Sequence, residues 1–326
     1  MAKKRRSDEP SGLERVFALI DEAPPGLHDV EPPADELPAG LPPALIELYA
    51  YCNGLRLYLD ALEVVPCEDV TITAPGRWKF GELEGEALAI DARGKIWRTD
   101  GSLDDDICEG TRIDRWLAGV LESVGHLYDE DGEFADGVFD DDGEIVPVVR
   151  ERQLRAQLKR DPAAPGPRWR LAHALLDQGA QDDARNELEQ VVSDEPAFAW
   201  AWLDLARISE RVGDLKNATD ESRMAAETAE GAQHPQAGYF WAQLARLAAR
   251  SGDDVLRAQA ATKTSLLAPT LKQAQLEGAR ESLESGDAAS AKGLLELLRA
   301  VWPRDLEVLE LARRVDSEKP GDNAPS

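Results

Sequence analysis

The chain has 326 residues, enough for two domains that each bury a core. It carries 37 Lys and Arg against 63 Asp and Glu, a formal net charge of −26. That field repels phosphate backbones and anionic lipid surfaces, so neither nucleic acid nor a membrane is an expected partner. The acid is concentrated: residues 1–147 hold 13 basic and 34 acidic side chains, a net −21, which leaves −5 for the remainder. Such asymmetry fits either high solubility or an electrostatic partner surface.

Cys52, Cys67 and Cys108 are too few and too irregularly spaced for a disulfide framework or a CxxC metal site, which points to a reducing cytoplasm. The opening Met1-Ala2-Lys3-Lys4-Arg5-Arg6 is basic, but charged and Pro-rich residues follow where a secretory signal needs an apolar run. No stretch has the apolar length needed to span a bilayer. A cytoplasmic protein is expected, with disordered tails over 1–10 and 317–326.

In chain order, a short helical pattern covers Leu13 to Asp21, and the Pro-rich segment from Pro24 to Pro43 cannot be regular throughout. A helix restarts near Pro43, with Leu45, Ile46, Leu48 and Tyr49 on its apolar side. Four short runs bounded by Gly and Asp read as strands: Val70 to Thr73, Trp78 to Phe80, Ala87 to Ile90 and Lys95 to Arg98. Asp91-Ala92-Arg93-Gly94 is a hairpin turn between the last two. Helical spacing returns through Ile113, Trp116, Leu117, Val120, Leu121 and Val124. The first 128 residues therefore predict an α+β domain over 11–128, an antiparallel sheet with flanking helices.

The string Leu41-Pro42-Pro43-Ala44-Leu45-Ile46-Glu47-Leu48-Tyr49-Ala50-Tyr51-Cys52-Asn53-Gly54 resembles the opening of the SUKH (Smi/Knr-like) superfamily. Trp78-Lys79-Phe80-Gly81, Leu88-Ala89-Ile90-Asp91, Gly94-Lys95-Ile96-Trp97 and the helix around Trp116-Leu117 follow in the same order. The resemblance implies a protein-binding domain, and bacterial members commonly neutralise a toxin. An acidic domain of this kind could cover a basic nuclease surface with fast, salt-sensitive association.

An acidic strip, 129–147, comes next, with two similar strings: Tyr128-Asp129-Glu130-Asp131-Gly132-Glu133-Phe134 and Phe139-Asp140-Asp141-Asp142-Gly143-Glu144-Ile145. Neither supplies the Glu six residues past the Gly that a calcium loop needs, whereas Asp-Gly turns explain both.

Residues 148–316 carry an internal repeat. Gly179, Gly213, Gly252 and Gly286 are separated by 34, 39 and 34 residues, close to the tetratricopeptide period of a helix-turn-helix unit. Seven residues before them stand Ala172, Ala206, Ala245 and Ala279, where a close helix crossing needs a small side chain. Five residues after them Ala184, Ala218 and Ala291 match, and Arg257 does not. The register resembles the tetratricopeptide repeat family. It predicts an all-α array of four units, an insertion near Gly231 to Gln236, and terminal helices over about Val149 to Lys159 and Asp305 to Asp316.

In that family the first helix of each unit lines the concave face. Six and two residues before the turn glycines, this rule places Arg207, Arg211, Arg246, Arg250 and Arg280 in one groove. Guanidinium forks suit an acidic peptide or a terminal carboxylate. The simpler alternative is exposed arginine paired with neighbouring glutamate. Trp169, Trp200 and Tyr239 on the same helices are either aromatic anchors for a peptide or packing between units. The four histidines lack a metal-ligand rhythm, and no phosphate loop or nucleophile elbow occurs. The sequence thus predicts a non-catalytic protein-binding chain without cofactor or metal. Its expected partners are acidic at the groove and basic at the first domain, with toxin immunity as the alternative role.

Overall fold

The computed structural model describes residues 12–24, 26–101, 103 and 105–317. The chain divides into two units, residues 1–187 and 188–326. The tail expected over 1–10 lies outside the described residues, as does the C-terminal tail apart from Ser317.

The first unit begins with α1 (Gly12–Asp21), β1 (His28–Val30) and α2 (Pro43–Tyr49). Proline at the first position of α2 costs no hydrogen bond, and its fixed φ suits the helix. Then come β2 (Leu55–Leu57), β3 (Leu62–Val64), β4 (Thr71–Ala74), β5 (Arg77–Leu83), β6 (Glu86–Asp91), β7 (Ile96–Asp100) and β8 (Asp105–Gly110). The sheet is antiparallel, in the order β1-β2-β3-β5-β6-β7-β8, with β4 paired to the first part of β5. Of these strands, β1, β2, β3 and β8 were not expected from the sequence. The Asp91 turn is as expected: its Oδ1 accepts from the N–H groups of Arg93 and Lys95, and Gly94 takes a left-handed φ of 83°.

Helix α3 (Ile113–Gly125) buries Ile113, Trp116, Leu117, Val120, Leu121 and Val124, the face its spacing predicts. These pack with Leu13, Leu45, Leu48, Leu57, Leu62, Leu88 and Ile90 in one core. Two β-bulges aim side chains that strict alternation would place elsewhere. The pairing of β5 with β6 shifts between Lys79 and Gly81, and the extra residue, Phe80, is fully buried and edge-on to Trp116 with ring centroids 5.9 Å apart. The pairing of β7 with β8 shifts so that Glu109 is extra; it is 3% exposed and forms an ion pair with Arg170.

The acidic strip is folded and is not an extended linker. Asp129 Oδ1 accepts from the N–H groups of Asp131 and Glu133, and Asp140 Oδ1 from those of Asp142 and Glu144. Gly132 and Gly143 complete the two turns at left-handed φ, and bridges join Tyr128 to Phe134 and Phe139 to Ile145. Leu127, Val138 and Val149 form a small core beneath them. Among the described residues no group of three His, Cys, Asp or Glu is placed to hold a metal.

The first helices of the array belong to this same unit. Helix α4 (Pro147–Arg160) packs on α3, and α5 (Pro165–Asp177) packs on α4 and β8. Gln157 Nε2 donates to Ser123 Oγ at 3.0 Å, and Glu122 accepts from Lys159 at 3.1 Å and Arg160 at 2.6 Å. Asp161, at the end of α4, is buried and takes both donors of Thr111, the N–H at 2.6 Å and Oγ1 at 2.7 Å. Gly166 allows the closest approach: a Cβ there would stand 2.7 Å from Glu109 Oε1 and 2.8 Å from the Cys108 carbonyl.

Helix α6 (Gln181–Asp194) spans the division between the units. The second unit continues with α7 (Ala199–Arg211), α8 (Leu215–Gly231), α9 (Ala237–Ser251), α10 (Asp254–Leu267), α11 (Leu271–Glu284), α12 (Ala288–Val301) and α13 (Leu306–Ser317). Gly179, Gly213, Gly252 and Gly286 all adopt φ between 77° and 84°, which ends one helix and lets the chain reverse. Asp214, Asp253 and Asp287 follow three of them and cap the next helix, each accepting a backbone N–H from three residues on. Ala172, Ala206, Ala245, Ala279, Ala184, Ala218 and Ala291 are all buried, as the close crossings require. The insertion expected near Gly231 lengthens α8 to 17 residues and turns tightly at Gln233, φ 55°.

Among the described residues no helix is long and apolar enough to cross a membrane. Cys52, Cys67 and Cys108 are buried and form no disulfide among the described residues, and burial raises the Cys52 pKa to about 11.

Asp161→Ala leaves the two Thr111 donors without their shared acceptor at a part-buried site. The expected loss is about 1–3 kcal/mol in urea unfolding. Thr111→Ala should add little in the Asp161→Ala background, because the two residues share one interaction.

Candidate functional site

Glu210, in the last turn of α7, holds two of the five arginines expected in the groove. Its Oε1 and Oε2 accept from Arg246 Nη1 and Nη2 at 2.5 and 2.6 Å, a bidentate pair, and Arg250 closes on the same Oε1. Arg246 also donates from Nε to Gln243 at 3.1 Å. The Arg246 side chain is 16% exposed and that of Arg250 is 46% exposed, so Arg250 keeps a solvent-facing edge. Burial raises the Glu210 pKa, but the hydrogen bonds and charge of Arg246, with Arg250 beside it, outweigh that and hold it below its ordinary value of 4.5.

The other three arginines lie elsewhere. Arg207 donates to the buried Asp204 at 2.8 Å and to the Tyr239 hydroxyl at 3.4 Å. Arg211 is exposed and makes no ion pair among the described residues. Arg280, on α11, comes within 3.9 Å of Glu307 on α13.

The second unit instead forms a pocket of ≈ 420 Å³ lined by Arg246 and Arg250 of α9, Arg257 of α10 and Arg299 of α12, with Asp254 and Glu296 among its walls. It exists because α12 packs against both α9 and α10. Arg257 holds that contact, donating from Nη1 to the Ala300 carbonyl at 3.2 Å, in the last turn of α12, where carbonyls lack helical partners and attract positive charge. Arg257 replaces the small residue found at this register in the other units, so the mismatch was its only signal in the sequence. Arg299 gave no signal, since it stands on a second helix of a unit.

The aromatic residues separate in the same way. Trp169, in the first unit, is buried against His173. Trp200 is buried against Phe240 with ring centroids 4.7 Å apart, and Tyr239 lies 6.1 Å from Trp200. The two tryptophans are packing residues; only Tyr239, half-buried beside Arg207, stays within reach of a ligand.

No known family model matches the sequence, and no curated protein matches it. Solved structures with similar chain paths include MamA from Desulfovibrio magneticus RS-1, at 19% identity over 52% of this chain and 88% of that one, TM-score 0.34. Pseudomonas aeruginosa PilF aligns at 15% identity over 61% of this chain and 82% of its own, TM-score 0.37. YrrB, described as a TPR protein with an unusual peptide-binding site, aligns at 14% identity over 62% and 91%, TM-score 0.35.

Because Glu210 has a lowered pKa, its contribution to stability is complete above about pH 4.5 and is lost as the pH falls through its folded value. Glu210→Gln should destabilise the protein by about 1.5–3 kcal/mol at neutral pH. The gap between variant and parent in denaturant unfolding should narrow below about pH 4.

Proposed function

We propose that this chain is a non-catalytic, cytoplasmic protein-binding protein whose helical array takes an acidic peptide segment of its partner. The observation that carries this reading is the meeting of Arg246, Arg250, Arg257 and Arg299 at one pocket in a chain of net charge −26. Glu210 already occupies Arg246, so a partner carboxylate would engage Arg250 from its exposed edge, beside Arg257, which also pairs with Asp254 at 3.3 Å, and Arg299. Bidentate pairing of that kind favours carboxylates over neutral peptides.

The acidic first half supports a second contact. The resemblance to SUKH domains and the net −21 over 1–147 suit a basic protein partner, and a toxin neutralised in the cell is the narrower form of that reading. Association driven by such a field should slow steeply as salt rises; equal association rates at low and high salt would remove it.

The array reading is tested with a fluorescent Glu- and Asp-rich peptide titrated against the full chain. Arg250→Glu combined with Arg257→Glu should weaken binding by about tenfold or more, while a Lys-rich peptide should not bind the parent pocket. Unchanged affinity in the double variant, with the fold intact, would sink the proposal.

A further inference from the structure

The first unit contains a second cavity, of ≈ 380 Å³, lined by Glu84 and Glu86 at the β5–β6 turn, Arg98 of β7, Arg150 and Gln153 of α4, and Arg170, His173 and Asp177 of α5. Its arginines are largely committed. Arg98, only 13% exposed at the side chain, donates to Glu84 at 3.1 Å and also pairs with Glu86. Behind it, Arg170 pairs with the bulged Glu109. Three carboxylates therefore surround two enclosed guanidinium groups. The Arg98 pKa reflects this: burial pulls it down, yet Glu109, Glu84 and Glu86 together raise it above its ordinary value. Arg150 is more exposed and reaches Glu84 only at 3.9 Å. Asp177 is exposed beside it.

Two buried acceptors here are left unserved, Glu109 Oε1 and Gln153 Oε1, and of the two Gln153 lines the cavity. Gln153 is 3% exposed, and its Oε1 has no hydrogen-bond partner. A buried acceptor without a donor is costly, and among buried groups it marks a position that a ligand or ordered molecule completes. The occupant must bring a hydrogen-bond donor for Gln153 Oε1, and an ammonium group meets that need while facing Glu84, Glu86 and Asp177 among the lining residues. Volume and polarity suit a molecule with a short carbon chain.

We propose that this cavity is a binding site for a small organic ammonium compound, its ammonium group donating to Gln153 Oε1 within the field of Glu84 and Glu86. Arg150 stands where the carboxylate of an amino acid would be received. Free diamines and amino acids share the ammonium chemistry, and the measurement separates them.

The test is isothermal titration of the full chain with 1,4-diaminobutane and with L-lysine, against butyrate and butyramide as controls. At least one ammonium probe should saturate at one site, and neither control should. Gln153→Leu and Glu86→Gln should each weaken that binding by about tenfold, which corresponds to ~1.4 kcal/mol. Glu86 is at the rim, so its variant keeps the test open should Gln153→Leu not fold. A preference for L-lysine that Arg150→Ala abolishes identifies an amino acid site; equal binding of the two probes identifies an amine site. Absence of saturable binding by either ammonium probe up to about 10 mM overturns the proposal. So does unchanged affinity in Glu86→Gln, or butyrate binding as tightly.

Discussion

A helical repeat buries its apolar face only against a neighbour, so the first repeat of an array must find cover outside the array. In this chain the sheet domain supplies it. Helix α3 receives α4, and β8 receives the start of α5, where Gly166 brings backbone against backbone. Apolar contact alone would allow the helices to slide, but polar pairs fix their register. Asp161 takes both donors of Thr111, and the bulged Glu109 meets Arg170. A buried ion pair adds little net stability against a hydrophobic substitute, but breaking one partner is expensive, so its contribution here is to specify one docking geometry. The bulge that turns Glu109 inward thus joins two kinds of secondary structure into one unit.

Much of this was legible in the sequence, and the exceptions have physical causes. The repeat glycines, the alanines seven residues before them and the α3 stripe were readable because each pattern follows a fixed helical period. Strands β2 and β3 alternate correctly, Leu55-Arg56-Leu57 and Leu62-Glu63-Val64, but three residues are too few to establish a period of two. Strand β1 sits inside a segment whose prolines argue against any strand. Glu109 was unreadable because an acidic residue between Cys108 and Gly110 looks solvent-facing until the bulge is known. The packing of α4 on α3 and of α5 on β8 was unreadable for the same reason: helical periodicity identifies a helix, whereas the partner it packs on is a tertiary fact.

The arginines show the limit of register arguments most clearly. Offsets from the turn glycine place Arg207, Arg246 and Arg280 at equivalent positions, but equivalent positions share surroundings only if every unit stacks alike. The last unit does not stack like the others. With Arg257 where a small side chain is the rule, α10 presents a charge to the end of α12, and α12 packs on α9 and α10. Arg280 is thereby left to α13, and Arg299 enters the pocket. The pocket therefore gathers a cluster, Arg246, Arg250, Arg257 and Arg299, where the register predicts a ladder.

That exchange alters what the site can recognise. A ladder of exposed arginines would favour acidic partners through long-range attraction, which salt screens and which carries little specificity. A cluster that already holds Glu210 has its geometry fixed in advance: the guanidinium of Arg246 is oriented by two carboxylate oxygens and by Gln243. A ligand carboxylate then gains from donors whose ordering cost was met during folding. On the proposed reading a carboxylate would also share the pocket with Asp254 and Glu296, whose like charge disfavours it unless Arg250, Arg257 and Arg299 all face it. On the proposed acidic-peptide reading, Asp254 and Glu296 in the pocket wall would limit affinity for loosely placed acidic side chains and favour those that reach the arginines.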